Sequence, residues 1–244
     1  MPPQIVLIRH AQALHNIDND RAQDRSIPDP PLSDLGVRQC AALRASLAAR
    51  FAGLSARDAA VLVSPMRRTL QTAALALDWL RDAGVAFEAS ADWQETSAAP
   101  CDTGSPVDQI APSFPATDFG NVDPLWPDKT SRAAARYAYT RAAILARGRR
   151  CLDALHRRPE PVVFVVSHSA FLRLGVVGWW FFNGDYRVFE FADGELVDHE
   201  AGGRRRVVRQ HEGTVAGGLG LSWTHTVELG SELPDEHAGD AVEQ

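Results

Sequence analysis

The chain has 244 residues, 45% of them hydrophobic, with a formal net charge of −6 and an isoelectric point near 5.7. That is enough apolar material for one large core, and the acidic balance speaks against a general nucleic-acid binder, which would carry a basic face. Cys40, Cys101 and Cys151 are widely spaced and form no metal-ligand pattern or disulfide framework, so no metal is expected and a reducing, cytoplasmic setting is. No basic segment precedes an apolar stretch at the N-terminus, and no run is long enough for a signal peptide or a membrane span, so no membrane partner is expected.

Ile5 to Ile8 is an unbroken β-branched and leucine run, the mark of a strand buried on both faces of a parallel sheet. It stops at Arg9-His10-Ala11-Gln12, followed by His15 and Asn16. Open α/β sheets bind ligands just beyond the carboxyl ends of their strands, so the active site is expected here. Ile17 to Pro31 is rich in Asp, Asn and Pro and reads as a loop over the sheet end. Ser33 is a helix cap, and Leu35, Cys40, Leu43 and Leu47 set a crossover helix to about Phe51. Ala60 to Val63 is a second strand, after which Ser64 and Pro65 open a helix carrying Arg67 and Arg68.

Residues Ala86 to Trp93 suggest a third strand, with Glu95 just after it. The segment from Thr96 to Thr130 is long and irregular enough to be a functional loop, and Phe114, Phe119 and Trp126 offer an apolar lining for a substrate pocket. A helix is expected from Arg132 to His156, and Val162 to Val166 is the clearest buried strand, running into Ser167-His168-Ser169 at a helix start. Phe171 to Phe182 reads as a buried helix and its exit, and Arg187 to Phe191 with Arg204 to Gln210 reads as an edge hairpin turned at 192–195. Residues 1–230 therefore form one catalytic domain, and the acidic stretch 231–244 reads as a solvated tail.

Three strand ends deliver Arg9 with His10, Arg67 with Arg68, and His168, a set that suits a dianionic phosphoryl group. A neutral imidazole can accept it covalently while guanidinium groups stabilise its oxygens. Lys129 is the only lysine among 25 basic residues, and codon bias is explanation enough for most of the arginines.

Ile8-Arg9-His10-Ala11-Gln12 with Asn16 resembles the signature R-H-G followed by Glu or Gln and a later Asn, and Leu32-Ser33-Asp34-Leu35-Gly36 resembles L-S/T-x-x-G. Ser64 to Thr72 resembles S-P-x-x-R-x-x-Q-T, and Val166-Ser167-His168-Ser169 resembles V-S/T-H-G. Four such matches in order resemble the histidine phosphatase superfamily in its phosphoglycerate-mutase-like branch; His15-Asn16 and Pro100 to Ser105 are most similar to a fungal phosphomutase-like subset.

The resemblance implies a three-layer α/β/α sandwich with a mostly parallel central sheet, and a phosphomonoester hydrolase using a phosphohistidine on His10 without metal or cofactor. Arg9, Arg68 and His168 would bind the phosphoryl oxygens, Glu95 would be the acid and then the base, and Asn16, Gln12 and Ser169 would contact substrate. Asp92 and Asp102 are the alternative acids, more in keeping with turn or cap carboxylates, and His15 is as well suited to a structural role in its own loop. The partner is expected to be a small phosphomonoester; nothing in the sequence specifies an oligomeric state. A phosphomutase, a catalytically weak phosphoryl-binding scaffold, and a specialised-metabolism enzyme reusing the pocket are the alternatives. Ala11 and Ser169 stand where the signatures carry glycine, which would strain the site if either position required a positive φ.

Overall fold

The computed structural model describes residues 1–17, 24–198 and 203–235. In chain order these form β1 (Gln4–Arg9), α1 (Asp34–Arg50), β2 (Ala59–Val63), α2 (Arg67–Ala76), α3 (Asp78–Asp82), β3 (Ala86–Ala89), α4 (Val107–Ile110), α5 (Arg141–His156), β4 (Val162–Ser167), a π-type helix α6 (Phe171–Val177), β5 (Tyr186–Asp198) and β6 (Gly203–Gln210). The strands make one mixed sheet in the order β3-β2-β4-β1-β5-β6. β1 to β4 run parallel, and β5 and β6 add an antiparallel edge.

The alternation along each strand explains the layering. Val6 and Ile8 of β1, with Val61, Val63, Phe164 and Val166, pack against Cys40, Leu43 and Leu47 of α1 and Leu70 and Ala73 of α2. Ile5 and Leu7, with Val163 and Val165, face Ile144, Leu152 and Leu155 of α5 and Phe171 and Leu172 of α6. The result is a three-layer α/β/α sandwich. All four residues Ile5 to Ile8 are fully buried, which stabilises the fold by about 1.5–3 kcal/mol each and leaves no freedom of register.

Local chemistry sets the crevice. Ser33 caps α1, its hydroxyl accepting from Gly36 N at 3.1 Å and donating to Gln12 Oε1 at 2.7 Å. A Cβ at Gly36 would lie 2.0 Å from the Gln12 carbonyl, so only glycine lets the first turn of α1 close on the β1 loop. Leu35, expected on the buried face, is 42% exposed, because Gly36 occupies the inward position.

Several expectations shift. The third strand ends at Ala89, and 91–93 form a short 3₁₀ turn. The long helix from 132 is two pieces, a 3₁₀ segment Arg132–Tyr137 and α5, whose start is fixed by Thr140 accepting from Ala143 N at 3.3 Å. β5 runs through the expected turn, absorbing 192–194 as an irregularity in its pairing with β6. Ser64 does not cap α2: the α2 amide of Arg67 donates instead to Asp29 Oδ1 at 2.9 Å, from the loop after β1.

The segment expected to begin the tail packs against the domain. Leu233 is buried in the second core, Arg141 N donates to Pro234 O at 2.7 Å, and Glu232 pairs with Arg173 at 2.7 Å. The rest of the expected tail, 236–244, lies outside the described residues, as do residues 18–23 of the loop after β1. No helix among the described residues is long and apolar enough to cross a membrane.

Candidate active site

The carboxyl ends of β1, β2 and β4 meet at one cavity of about 530 Å³, lined by Arg9, His10, Asn16, Glu95 and Ser169 among others. Arg68 and His168 lie fully buried beneath it. Seven of the eight expected site residues thus gather at the cavity or its floor. The eighth, Gln12, points away: its side chain is held by Ser33, and it borders a separate surface pocket with Leu14 and Leu35.

His10 has an unambiguous hydrogen-bond geometry. Nδ1 lies 2.7 Å from the Ala11 carbonyl, which can only accept, and Nε2 lies 3.1 Å from Arg68 Nε, which can only donate. Nδ1 therefore carries the proton and Nε2 keeps its lone pair. Burial first, then the charges of Arg68 and Arg9, hold the imidazole well below its ordinary pKa. His10 is thus a neutral imidazole whose Nε2 lone pair accepts from Arg68, with the charge of Arg9 also close by.

Arg68 is anchored from behind. Nη1 donates to Cys101 O at 2.6 Å and Nη2 to Asp102 Oδ1 at 3.3 Å. Burial raises the Asp102 carboxyl, but Arg68, the Ser97 hydroxyl at 2.6 Å, Lys129 and Arg25 outweigh it and the net shift is downward. Asp102 is thus an ionised counter-charge to Arg68. Asp92 is outside the cavity, paired with Arg150 at 3.2 Å and Arg136 at 3.4 Å.

Glu95 differs from both. Its Oε1 accepts from Thr96 N at 2.8 Å and Phe171 N at 2.9 Å, and Oε2 from Ala170 N at 3.3 Å. Glu95 thus takes the first amides of α6. Burial, reinforced by the Asp102 charge, still raises its carboxyl above the ordinary range, which favours its protonated form.

His168 sits edge-on to His10 with ring centroids 5.2 Å apart, its Nε2 2.9 Å from Ser64 Oγ. Its Nδ1 has no hydrogen-bond partner among the described residues, and burial followed by Arg68 keeps the ring neutral. Arg9 donates Nη1 to Phe181 O at 2.8 Å while its Nε has no partner among the described residues. Neither Ala11 nor Ser169 has a positive φ, so the expected strain from replacing glycine does not arise.

Asn16 Oδ1 accepts from Ala13 N at 3.2 Å, which directs its amide nitrogen to His15 Nε2 at 3.1 Å. His15 is buried and neutral, its pKa lowered to about 3 chiefly by burial and next by Arg68. His15, Cys101 and Asp102 offer ligand atoms within 4.8 Å of one another. A cation there would meet Arg68 and Arg25, each 3.3 Å from an Asp102 oxygen, so the trio is a poor metal centre.

Sequence reasoning missed two polar participants. Lys129 is buried, and its Nζ donates to the carbonyls of Glu95 at 2.9 Å, Ser97 at 2.8 Å and Asp102, folding the acid-bearing loop around one ammonium group. Its being the only lysine was the available signal. Asn183 lines the cavity and donates to His10 O at 3.2 Å; the Asn-Gly pair at 183–184 reads locally as a turn and nothing more. The expected aromatic lining is also corrected. Trp126 packs in a small core with Met66 and Tyr137, and Phe114 and Phe119 lie against the first core. Tyr139, Trp180, Phe182 and Trp223 line the cavity instead.

The family model of the histidine phosphatase superfamily (branch 1) matches residues 5–211. A Schizosaccharomyces pombe protein named a probable phosphatase is 28% identical over 173 residues, covering 70% of this chain and 76% of that one. A phosphoglycerate mutase-like protein of Arabidopsis thaliana is 30% identical over 202 residues, covering 69% and 71%. Among solved structures, a phosphoglycerate mutase from Bacillus anthracis covers 92% of both chains at 16% identity and a TM-score of 0.47.

Proposed function

Because the chain belongs to the histidine phosphatase superfamily, we propose that it hydrolyses small phosphomonoesters through a phosphohistidine on His10, with its own cationic side chains in place of a metal. The observation that carries this reading is the fixed tautomer of His10, neutral and with Nε2 unprotonated beside Arg68.

In the first step His10 Nε2 forms a bond to phosphorus as the ester P–O bond breaks. The leaving oxygen takes a proton from Glu95, whose raised pKa keeps one available. In the second step the Glu95 carboxylate takes a proton from water, whose oxygen bonds to phosphorus as the P–N bond breaks. Phosphate leaves and His10 returns to its neutral form. Arg9, Arg68 and His168 stabilise charge on the transferring oxygens, with Asn16, Asn183 and Ser169 at the cavity wall. Three free, buried cysteines support a reducing, cytoplasmic setting.

Brief incubation with a ³²P-labelled monoester, followed by denaturation, tests the intermediate. Acid-labile, base-stable label on the wild type and none on His10→Ala is the expected result, with turnover unaffected by a chelator. Equal label on both proteins sinks the mechanism. Release of inorganic phosphate rather than an isomerised ester separates hydrolysis from mutase chemistry.

A further inference from the structure

A phosphoryl group at Arg9 and His10 would fill only one end of the cavity, whose volume of about 530 Å³ lies in the range of pockets that enclose whole organic ligands. The remaining wall is aromatic. Trp180 and Trp223 stack with ring centroids 4.3 Å apart and planes 18° apart, and Phe182 meets Trp180 edge-on at 6.0 Å. Trp223 is 51% exposed and Phe182 38%. Folding leaves these rings partly wet at the mouth of a catalytic cavity, although apolar surface of this size is normally buried.

The wall is built, not collapsed. Fully buried Arg187 donates Nη2 to the carbonyls of both Trp180, at 2.7 Å, and Trp223, at 2.6 Å, tying two distant segments together. Phe182 N donates to Ser222 Oγ at 3.0 Å, and the Ser222 hydroxyl donates to Asp185 at 2.7 Å. Arg9, beside the nucleophile, donates to the Phe181 carbonyl. One buried frame therefore fixes the rings relative to His10, and rings held in advance bind with little loss of entropy.

Charge decides what they face. Arg173 and Glu232 at the cavity neutralise one another at 2.7 Å, and Arg25 is spent on Asp102 and Ser97. Among the described residues, that wall offers no free cation for a carboxylate or a second phosphate. We propose that the Trp180–Trp223–Phe182 wall is the leaving-group subsite, shaped for an alcohol that carries a flat, uncharged ring system; this rests on the phosphomonoesterase reading above.

The test compares 2-naphthylmethyl phosphate with ethyl phosphate, both esters of primary alcohols, so that leaving-group acidity does not decide the outcome. Wild-type kcat/KM should favour the naphthyl ester by about tenfold or more, and the ratio should fall toward one in Trp223→Leu and in Phe182→Leu, with the change in KM. A ratio near one in the wild type, or one unmoved by either substitution, overturns the proposal. A second arm does not depend on turnover: calorimetric titration of the whole chain with 2-naphthylmethylphosphonate and ethylphosphonate. Tighter binding of the naphthyl compound that Trp223→Leu abolishes supports the subsite even if neither ester is hydrolysed, in which case only the mechanism fails. Equal affinity, or no binding of either phosphonate, overturns the subsite.

Discussion

His10 owes its state to its neighbours: the Ala11 carbonyl accepts from Nδ1–H and so keeps the proton there, while burial and two guanidinium groups keep a second proton off Nε2. Glu95 is tuned the opposite way, since burial and Asp102 favour its protonated form. In the proposed role of proton donor it must be protonated, so kcat/KM should fall on the alkaline side as Glu95 ionises, at a pH above the ordinary carboxyl range. Glu95→Gln should lower kcat for unactivated alkyl esters by roughly 10²–10⁴-fold and abolish that alkaline limb. A pH–rate profile whose limb survives the substitution removes Glu95 from the role. Asp102 acts through Arg68, which is fully buried. Asp102→Asn leaves that guanidinium short of its counter-charge and should cost about 3 kcal/mol, read from the urea midpoint at pH 7. Because folding lowers the Asp102 pKa, the wild type's advantage exists above the unfolded value of about 3.9 and should shrink as pH falls through the lower folded value.

At the scale of elements, helix starts place the chemistry. α2 begins where Asp29 reaches across to Arg67 N, which frees Ser64 to hold His168. α6 begins on Glu95, so one carboxylate both ends a helix and serves the cavity. α5 and α6 approach so closely that a Cβ on Gly148 would lie 1.8 Å from the Gly175 carbonyl. Gly148→Ala should therefore destabilise the protein by about 2 kcal/mol through forced separation of the two helices, measurable by denaturant unfolding. A neutral effect, such as alanine gives at an open helix position, would contradict that packing. The strands and α1 were readable because their apolar periods are local; Leu35 and the break at Thr140 were not, because a cap or an inward glycine overrides the period.

For the whole molecule, the strand order brings β1 between β4 and β5, so residues near position 10 meet those near 168 and 183 at a single edge. The last described segment closes the α5–α6 layer, with Leu233 4% exposed. Leu233→Ala should cost about 2–5 kcal/mol in chemical denaturation, where a solvated tail would show no change. By itself the sequence determined the buried strands, the parallel sheet, and the presence of Arg9, His10, Arg68, Glu95 and His168 at or just after strands, since apolar period and short motifs are written in neighbouring residues. Only the tertiary structure decided that Gln12 turns to α1, that Lys129 gathers the Glu95 loop, and that Trp180, Phe182 and Trp223 rather than Trp126 face the cavity. Those outcomes depend on where irregular segments return to the sheet, and contacts across such distances have no period for a sequence to display.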